Sequence, residues 1–128
     1  NLFVSGAFIA SDMTKTNADR AFVREVLRCD YGGSVESLAE TGITGNASRV
    51  FRIPRTVNGG CYAVSRPDIL VPLDDAFVSF VFDGCRESAG VAYAGDYRVL
   101  STSFPFEAVQ DEDARNELMG AVMRFLLR

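Results

Sequence analysis

Residues that could carry out acid–base or nucleophilic chemistry are few in this chain. The sequence contains no histidine, and histidine is the commonest general base, a usual zinc ligand and the partner of most serine and cysteine nucleophiles. We therefore predict that the chain holds no self-contained hydrolase triad.

The three cysteines are Cys29, Cys61 and Cys85. Their number is odd, and they lack the Cys-x-x-Cys spacing of zinc sites and dithiol redox motifs. At most one disulfide can form among them. The pattern favours small buried thiols that fill the core, while an enzyme completed by upstream residues would use Cys61 or Cys85 as its candidate thiol.

Other patterns that suggest a ligand are weak. The acidic pair Asp74 and Asp75 and the acidic run 111–113 lack the spacing of a calcium-binding hand, so we predict a solvated turn and a helix cap. The glycine-containing segments 5–11 and 42–48 lack a phosphate-loop lysine and a dinucleotide fingerprint, and we interpret them as turns. We predict no metal and no cofactor.

The tyrosines could form a platform for a sugar, but tryptophan is absent. Tyrosines in strand patterns usually pack with the hydroxyl at the rim of the core. We predict this packing role and keep a carbohydrate-binding module as an alternative. The four residues are Tyr31, Tyr62, Tyr93 and Tyr97.

Composition narrows the class of protein further. A chain of 128 residues with 48% hydrophobic content fits one globular domain. The net charge of -4, with both signs interspersed, provides no basic surface for nucleic acid or anionic lipid. Apolar runs such as 76–82 are far shorter than the roughly 20 residues of a membrane helix. We expect no nucleic-acid partner and no membrane span.

The first half of the chain predicts a strand, a turn and a helix. Residues 2–4 indicate a short buried strand that stops at Ser5 and Gly6. Thr16 can cap a helix that ends near residues 30–34. The apolar positions that predict its buried face are Ala18, Phe22, Val23, Val26, Leu27 and Cys29.

The second half predicts strands and then a helix. Asn58 and Gly59 suit a tight hairpin turn, with Pro54 at an edge or bulge. Residues 77–82, 88–94 and 97–104 alternate with turn signals and indicate antiparallel strands. Asp111 can cap a final helix that docks on the sheet. Its predicted packed stripe is Ala114, Leu118, Ala121, Val122, Phe125 and Leu126.

Two segments carry a resemblance to a known family: LFVSGAFIASDM at 2–13 and YRVLSTSFPFEAVQDEDARNELMGAVMRFLL at 97–127. They resemble the C-terminal half of a class I glutamine amidotransferase-like domain. More closely, they look like the version found at the C-terminus of large secreted proteins of Bacteroidetes, often labelled xanthan lyase-like or cell-wall amidase-like. The resemblance implies an α/β fold: the C-terminal part of a three-layer flavodoxin-like sheet with added antiparallel β-hairpins. It also implies a single domain, 1–128, whose first strands lie upstream.

The resemblance also implies a degenerate active site. Active members of the family carry Phe-His-Pro-Glu after a late strand, where the histidine serves a cysteine nucleophile and the glutamate orients the histidine. Here SFPFE at 103–107 occupies that place, and Glu107 matches the glutamate. The nucleophile turn corresponds to Ser5, Gly6 and Ala7, without a cysteine. Both groups that perform the chemistry are therefore missing.

We expect Glu107 to lie near this turn. We also expect its carboxylate to be partly buried beside Phe104 and Phe106, with amide or hydroxyl donors that offset its desolvation.

The function implied by the resemblance is that of a non-catalytic accessory or structural domain. The parent would be a larger secreted, periplasmic or cell-surface bacterial protein that acts on polysaccharide or cell wall. The partners expected are other domains of the same polypeptide, a glycan, and a second copy bound through an exposed edge strand at residues 2–4. The alternatives are a hydrolase or lyase completed by upstream residues, or the carbohydrate-binding module.

Overall fold

The computed structural model describes residues 1–36, 41–45, 55–57, 64, 66–109 and 111–128, and the structural statements below concern these residues. The protein is a mixed α/β structure, as the sequence indicates. Its elements are β1 (Leu2–Ser5), α1 (Ile9–Asp12), α2 (Asn17–Ala21), a π-helix (Phe22–Val26), β2 (Cys29–Ser34), β3 (Thr41–Gly45), β4 (Arg55–Val57), β5 (Asp68–Pro72), β6 (Phe77–Phe82), β7 (Ser88–Ala94), β8 (Arg98–Thr102), a 3-10 helix (Phe106–Ala108) and α3 (Glu112–Leu126).

Six of the described strands form one sheet in the order β1-β8-β7-β6-β3-β4, and β2 pairs with β5 in a separate ribbon. β1 and β8 run parallel, whereas the other neighbours in the sheet run antiparallel. The predicted antiparallel run β6, β7 and β8 is confirmed. The Asn58–Gly59 turn and Pro54 lie outside the described residues.

β1 lies at one edge of the sheet and pairs, among the described strands, with β8. The sequence predicts a buried strand at 2–4, but β1 is only half-buried and Leu2 is 36% exposed. The difference follows from the edge position, because a terminal strand receives neighbours on one side only.

Two hydrophobic cores lie on opposite faces of the sheet. Successive strand residues point to opposite faces, so Leu100 joins a core with α3 residues such as Val122 and Phe125, while Val99 joins a second core with Val23 and Leu27. Helical segments therefore pack against both faces of β8.

The C-terminal helix follows its sequence prediction. Asp111 caps α3, and its Oδ1 accepts a hydrogen bond from the Asp113 amide at 3.3 Å. The buried residues of the helix belong to the predicted stripe; they are Leu118, Val122, Phe125 and Leu126.

The N-terminal helix departs from its prediction after a correct start. Thr16 Oγ1 caps it by accepting from the Asp19 amide at 3.1 Å, but the last turns are a π-helix. Val23 and Leu27 are buried, whereas Phe22 is 37% exposed and Val26 is 36% exposed. A π-helix places more residues in each turn than an α-helix, so positions predicted on one face are rotated apart.

The helix also ends earlier than the sequence predicts, at Val26 rather than near residues 30–34. Arg28 has a φ of 58°, and a left-handed residue directly after a helix stops it. Cys29 then begins β2, where it is paired with Pro72.

Candidate functional site

The carboxyl ends of β1 and β8 lie at the same edge of the sheet. The parallel register runs from Leu2 opposite Val99 to Ser5 opposite Thr102, and the Gly6 amide donates to the Thr102 carbonyl at 3.1 Å. The segment that follows β8 therefore reaches the turn formed by Ser5, Gly6 and Ala7, hereafter the 5–7 turn. The two segments therefore share one end of the sheet, as the expected approach of Glu107 to this turn requires.

Ser5 joins the two segments directly. Its Oγ accepts a hydrogen bond from the Phe106 amide at 2.7 Å, in a half-buried position. On the β8 side, Thr102 Oγ1 donates to the Phe104 carbonyl at 3.0 Å and shapes the start of the same segment. The Ser5 hydroxyl thus acts as an acceptor for the main chain.

The other two residues of the 5–7 turn are positioned by packing and by β5. A Cβ on Gly6 would lie 3.2 Å from Ile9 Cγ1, so the turn packs closely on α1. Ala7 is buried, and its carbonyl accepts from the Asp68 amide at 2.8 Å. β5 therefore fixes the end of the turn through the main chain.

Glu107 lies at this end of the sheet but does not have the expected surroundings. It is exposed, and the prediction of a partly buried carboxylate is wrong. The short 3-10 helix explains the difference: Phe104 packs edge-to-face on Phe80 at 5.6 Å between ring centroids, and Ala108 is buried. With three residues per turn, Glu107 falls on the solvent side of that helix.

Asp68 is a residue that the sequence reasoning missed. Its side chain is only 1% exposed, and Oδ2 accepts from the Ser11 amide at 2.8 Å. Burial raises the pKa of Asp68 above its usual value. Hydrogen bonds from the amide and hydroxyl of Ser11 and from the amide of Ala10 oppose this, and the charge of Asp12 raises the pKa further. The local sequence signal that could have indicated a buried carboxylate is an aspartate directly after Pro67, at the start of an apolar strand.

The described cysteines have opposite environments. Cys29 is fully buried, and burial raises the pKa of its thiol to about 12, with a smaller contribution from the charge of Asp30. This confirms the predicted packing role. Cys85 is exposed, both thiols are free, and Cys61 lies outside the described residues.

Cys85 lines an open groove of about 420 Å³. The groove lies beside the end of β2, β5 and the turn between β6 and β7. Its described lining combines the thiol with two carboxylates, one hydroxyl and two aliphatic side chains: Glu36, Glu87, Ser34, Val35 and Ile69. The described lining holds no histidine, because the chain contains none.

Tyr93 and Tyr97 form a structural cluster with Arg28. Tyr97 Oη is 2.9 Å from the carbonyls of both Glu25 and Val26, and it accepts from Arg28 Nε at 2.9 Å. The guanidinium lies 4.8 Å from the centroid of the Tyr93 ring. The hydrogen bond to Tyr97 is the main cause that raises the pKa of Arg28. The cluster caps the last carbonyls of the π-helix and holds the left-handed turn.

This cluster also bears on the sugar-platform alternative. Tyr93 is buried, and the Tyr97 hydroxyl hydrogen-bonds to main-chain carbonyls. Tyr31 is exposed, with its hydroxyl 3.0 Å from Ser34 Oγ. The packing interpretation is therefore confirmed for Tyr93 and Tyr97, and Tyr62 lies outside the described residues.

Within the described parts of the chain, no group of three or more acidic or cysteine side chains is arranged to hold a metal ion. No helix among those residues is long and apolar enough to cross a membrane.

Comparisons of the chain with models of protein families, with curated proteins and with solved structures gave no match.

Proposed function

We propose that this chain is a non-catalytic accessory domain of a larger exported bacterial protein that acts on polysaccharide or cell wall. The observation that carries the proposal is the hydrogen bond from the Phe106 amide to Ser5 Oγ at 2.7 Å. It occupies the place where the amidotransferase-like resemblance puts a nucleophile beside its base. The two segments are joined there by a structural contact.

The chemistry of the surrounding groups supports the same conclusion. The chain has no histidine, the carboxylate of Glu107 is exposed, and the buried carboxylate of Asp68 is directed at the amide of Ser11. General-base catalysis requires a proton acceptor within hydrogen-bond reach of the nucleophile. The contacts described at the 5–7 turn bind main-chain amides and carbonyls instead.

The proposed fold is the C-terminal part of a flavodoxin-like, three-layer arrangement with added hairpins. Its support is the parallel pair β1 and β8 together with helical segments on both faces of the sheet. In that arrangement, further strands of the parent domain lie next to β1. Neighbouring domains, a glycan, or a second copy of the chain are the partners that this proposal includes.

An enzyme of the hydrolase or lyase class is a second candidate, because an exposed thiol lines a groove. Cys85 shares that groove with Glu36 and Glu87, and an accessible thiol can act as a nucleophile once it ionises. This candidate requires the thiol to be essential for turnover.

One experiment separates the two. The purified chain is assayed with L-glutamine, peptidoglycan and xanthan, before and after treatment with iodoacetamide, together with a Cys85→Ser variant. We expect no turnover in any of these samples. Reproducible turnover that is lost both on alkylation and in Cys85→Ser would replace the accessory role by the enzymatic one.

A further inference from the structure

Asp68 connects three separate segments. Its amide donates to the Ala7 carbonyl at 2.8 Å, and its carboxyl Oδ2 accepts from the Ser11 amide at 2.8 Å. On the other side it is paired in register with Ser34 of β2. The residue therefore fastens β5 both to the 5–7 turn and to α1.

The second oxygen of this carboxyl has no hydrogen-bond partner. Oδ1 is buried and unpaired among the described residues. At that oxygen the charged form loses hydration that no described hydrogen bond replaces, and this disfavours the ionised carboxyl.

The charges around Asp68 do not compensate this loss. Asp12, on α1, adds a like charge, and residues 5–9 contain no charged side chain. Ser34 faces it from β2, Ile69 and Leu70 follow it on β5, and Arg66 is exposed. The groups that oppose this loss all belong to α1: the amide and the hydroxyl of Ser11 and the amide of Ala10.

α1 is a short helix. It has four residues, and its N-cap residue, Phe8, forms no side-chain capping bond and is 48% exposed. A single helical turn is marginal without tertiary contacts. The contacts that dock it are made by the buried Ala10, by Ile9, which packs against the same core, and by the carboxyl of Asp68.

We propose that Asp68 and α1 form a pH-responsive latch over the 5–7 turn, in which α1 is docked while the carboxyl is protonated and opens locally when the carboxyl ionises. Opening lets water hydrate Oδ1. In the docked structure this oxygen is buried, so the ionised carboxyl is not hydrated there. The latch does not depend on the accessory role proposed above, because it concerns a conformational equilibrium rather than an activity.

Thermodynamic linkage fixes the direction. In an open state Asp68 is hydrated and has a pKa near its usual value of 3.8, whereas in the docked state burial raises it. The docked state therefore binds the proton more tightly. Docking is therefore most favourable below pH 3.8. It weakens progressively as the pH rises from 3.8 to the raised pKa of the docked state, and it does not change further above that pKa.

The test is hydrogen exchange followed by NMR on the whole chain, from low pH to pH 8, with the intrinsic exchange rate of each amide divided out. The Asp68 carboxyl carbon is titrated in the same samples. We expect the opening constants of the Ser11 and Asp68 amides to rise up to about tenfold per pH unit within the linkage window. The Leu100 amide, in the sheet core, should show no matching rise.

Two variants make the test specific. Asp68→Asn should remove the rise, and Asp12→Asn, which removes the neighbouring like charge, should move the rise to lower pH. The latch is refuted by an Asp68 carboxyl that titrates at its usual pKa, by opening constants that do not change with pH, or by a rise that persists in Asp68→Asn. If Asp68→Asn fails to fold, the latch is tested by the titration of the wild-type carboxyl and by the shift of the rise in opening constants to lower pH in Asp12→Asn.

Discussion

Ser5 and Phe106, which are 101 residues apart in the sequence, are joined by a hydrogen bond from the Phe106 amide to Ser5 Oγ at 2.7 Å. The bond fastens the end of the edge strand β1 to the segment that leaves β8. Because it is half-buried, water replaces it poorly when it is lost. Ser5 is therefore expected to contribute to stability through its hydroxyl.

Replacement of Ser5 by alanine should lower the free energy of unfolding by about 1–3 kcal/mol, because the Phe106 amide would be left without its acceptor. Urea unfolding followed by circular dichroism measures the change. Ser5→Thr keeps a hydroxyl and should recover part of the loss. A Ser5→Ala variant as stable as the wild type would show that the bond contributes nothing.

Glu107→Gln is the matched comparison at the same end of the sheet. Its side chain is exposed, so we expect a change within about 0.5 kcal/mol, as for most surface substitutions. A loss equal to that of Ser5→Ala would mean that the carboxylate has a buried partner in solution.

Elements determined by local pattern were predictable from the sequence. α3 is one example, because Asp111 supplies a cap and Val122 and Phe125 continue an apolar stripe, so cap and periodicity agree. The strands β6, β7 and β8 are another, because they alternate with clear turn signals.

Features determined by distant contacts or by irregular helical turns were not predictable. Nothing in the sequence near Phe22 marks a π-helix, and a positive φ at Arg28 is unusual for a residue with a side chain. Asp68 meets Ser11 across 57 residues of sequence. The exposure of Glu107 depends on a single 3-10 turn whose burial is decided by Phe104 and Ala108.

Tyr97→Phe should destabilise the protein by about 1–2 kcal/mol. The change removes the hydroxyl that lies 2.9 Å from the Glu25 and Val26 carbonyls and accepts from Arg28. Thermal unfolding measures the loss. Tyr31→Phe is the control, because its hydroxyl contacts a side-chain hydroxyl three residues away rather than carbonyls at the end of a helix, so its removal should be nearly neutral. Equal effects of the two variants would contradict a capping role for Tyr97.

The edge position of β1 predicts self-association. Its four residues, Leu2–Ser5, carry no charge and no proline, and such edges pair readily with another strand. We expect light scattering to show a mass that increases with concentration, and Leu2→Lys to restore the monomer. Phe8→Lys, an exposed position outside the strand, should leave the association unchanged. A strict monomer at every concentration would rule out pairing through β1.

The two described thiols should react at very different rates. In a Cys61→Ser background at pH 8, Cys85 is exposed and should react quickly with Ellman's reagent. Cys29, which is fully buried and has its pKa raised to about 12, should react only after unfolding in urea. Two equally fast thiols in the native protein would show that the core around Cys29 opens readily.

The same buried thiol gives the protein a defined sensitivity to alkali. The pKa of Cys29 is raised by burial from 9.0 to about 12 in the folded state, so between these values the unfolded chain loses its proton while the folded chain keeps it. Unfolding then releases a proton, and the free energy of unfolding should fall by up to about 1.4 kcal/mol per pH unit above pH 9. Below pH 9 the stability contributed by the buried, neutral thiol is fully present.

Cys29→Ala should start from a lower stability than the wild type, because a small cavity replaces the sulfur. Its free energy of unfolding should also fall less steeply with pH, by the slope that Cys29 contributes. Cys85→Ala, at an exposed position, should keep the wild-type slope. Urea unfolding at pH 8, 9.5 and 10.5 compares the three proteins, and parallel curves for wild type and Cys29→Ala would contradict the assignment.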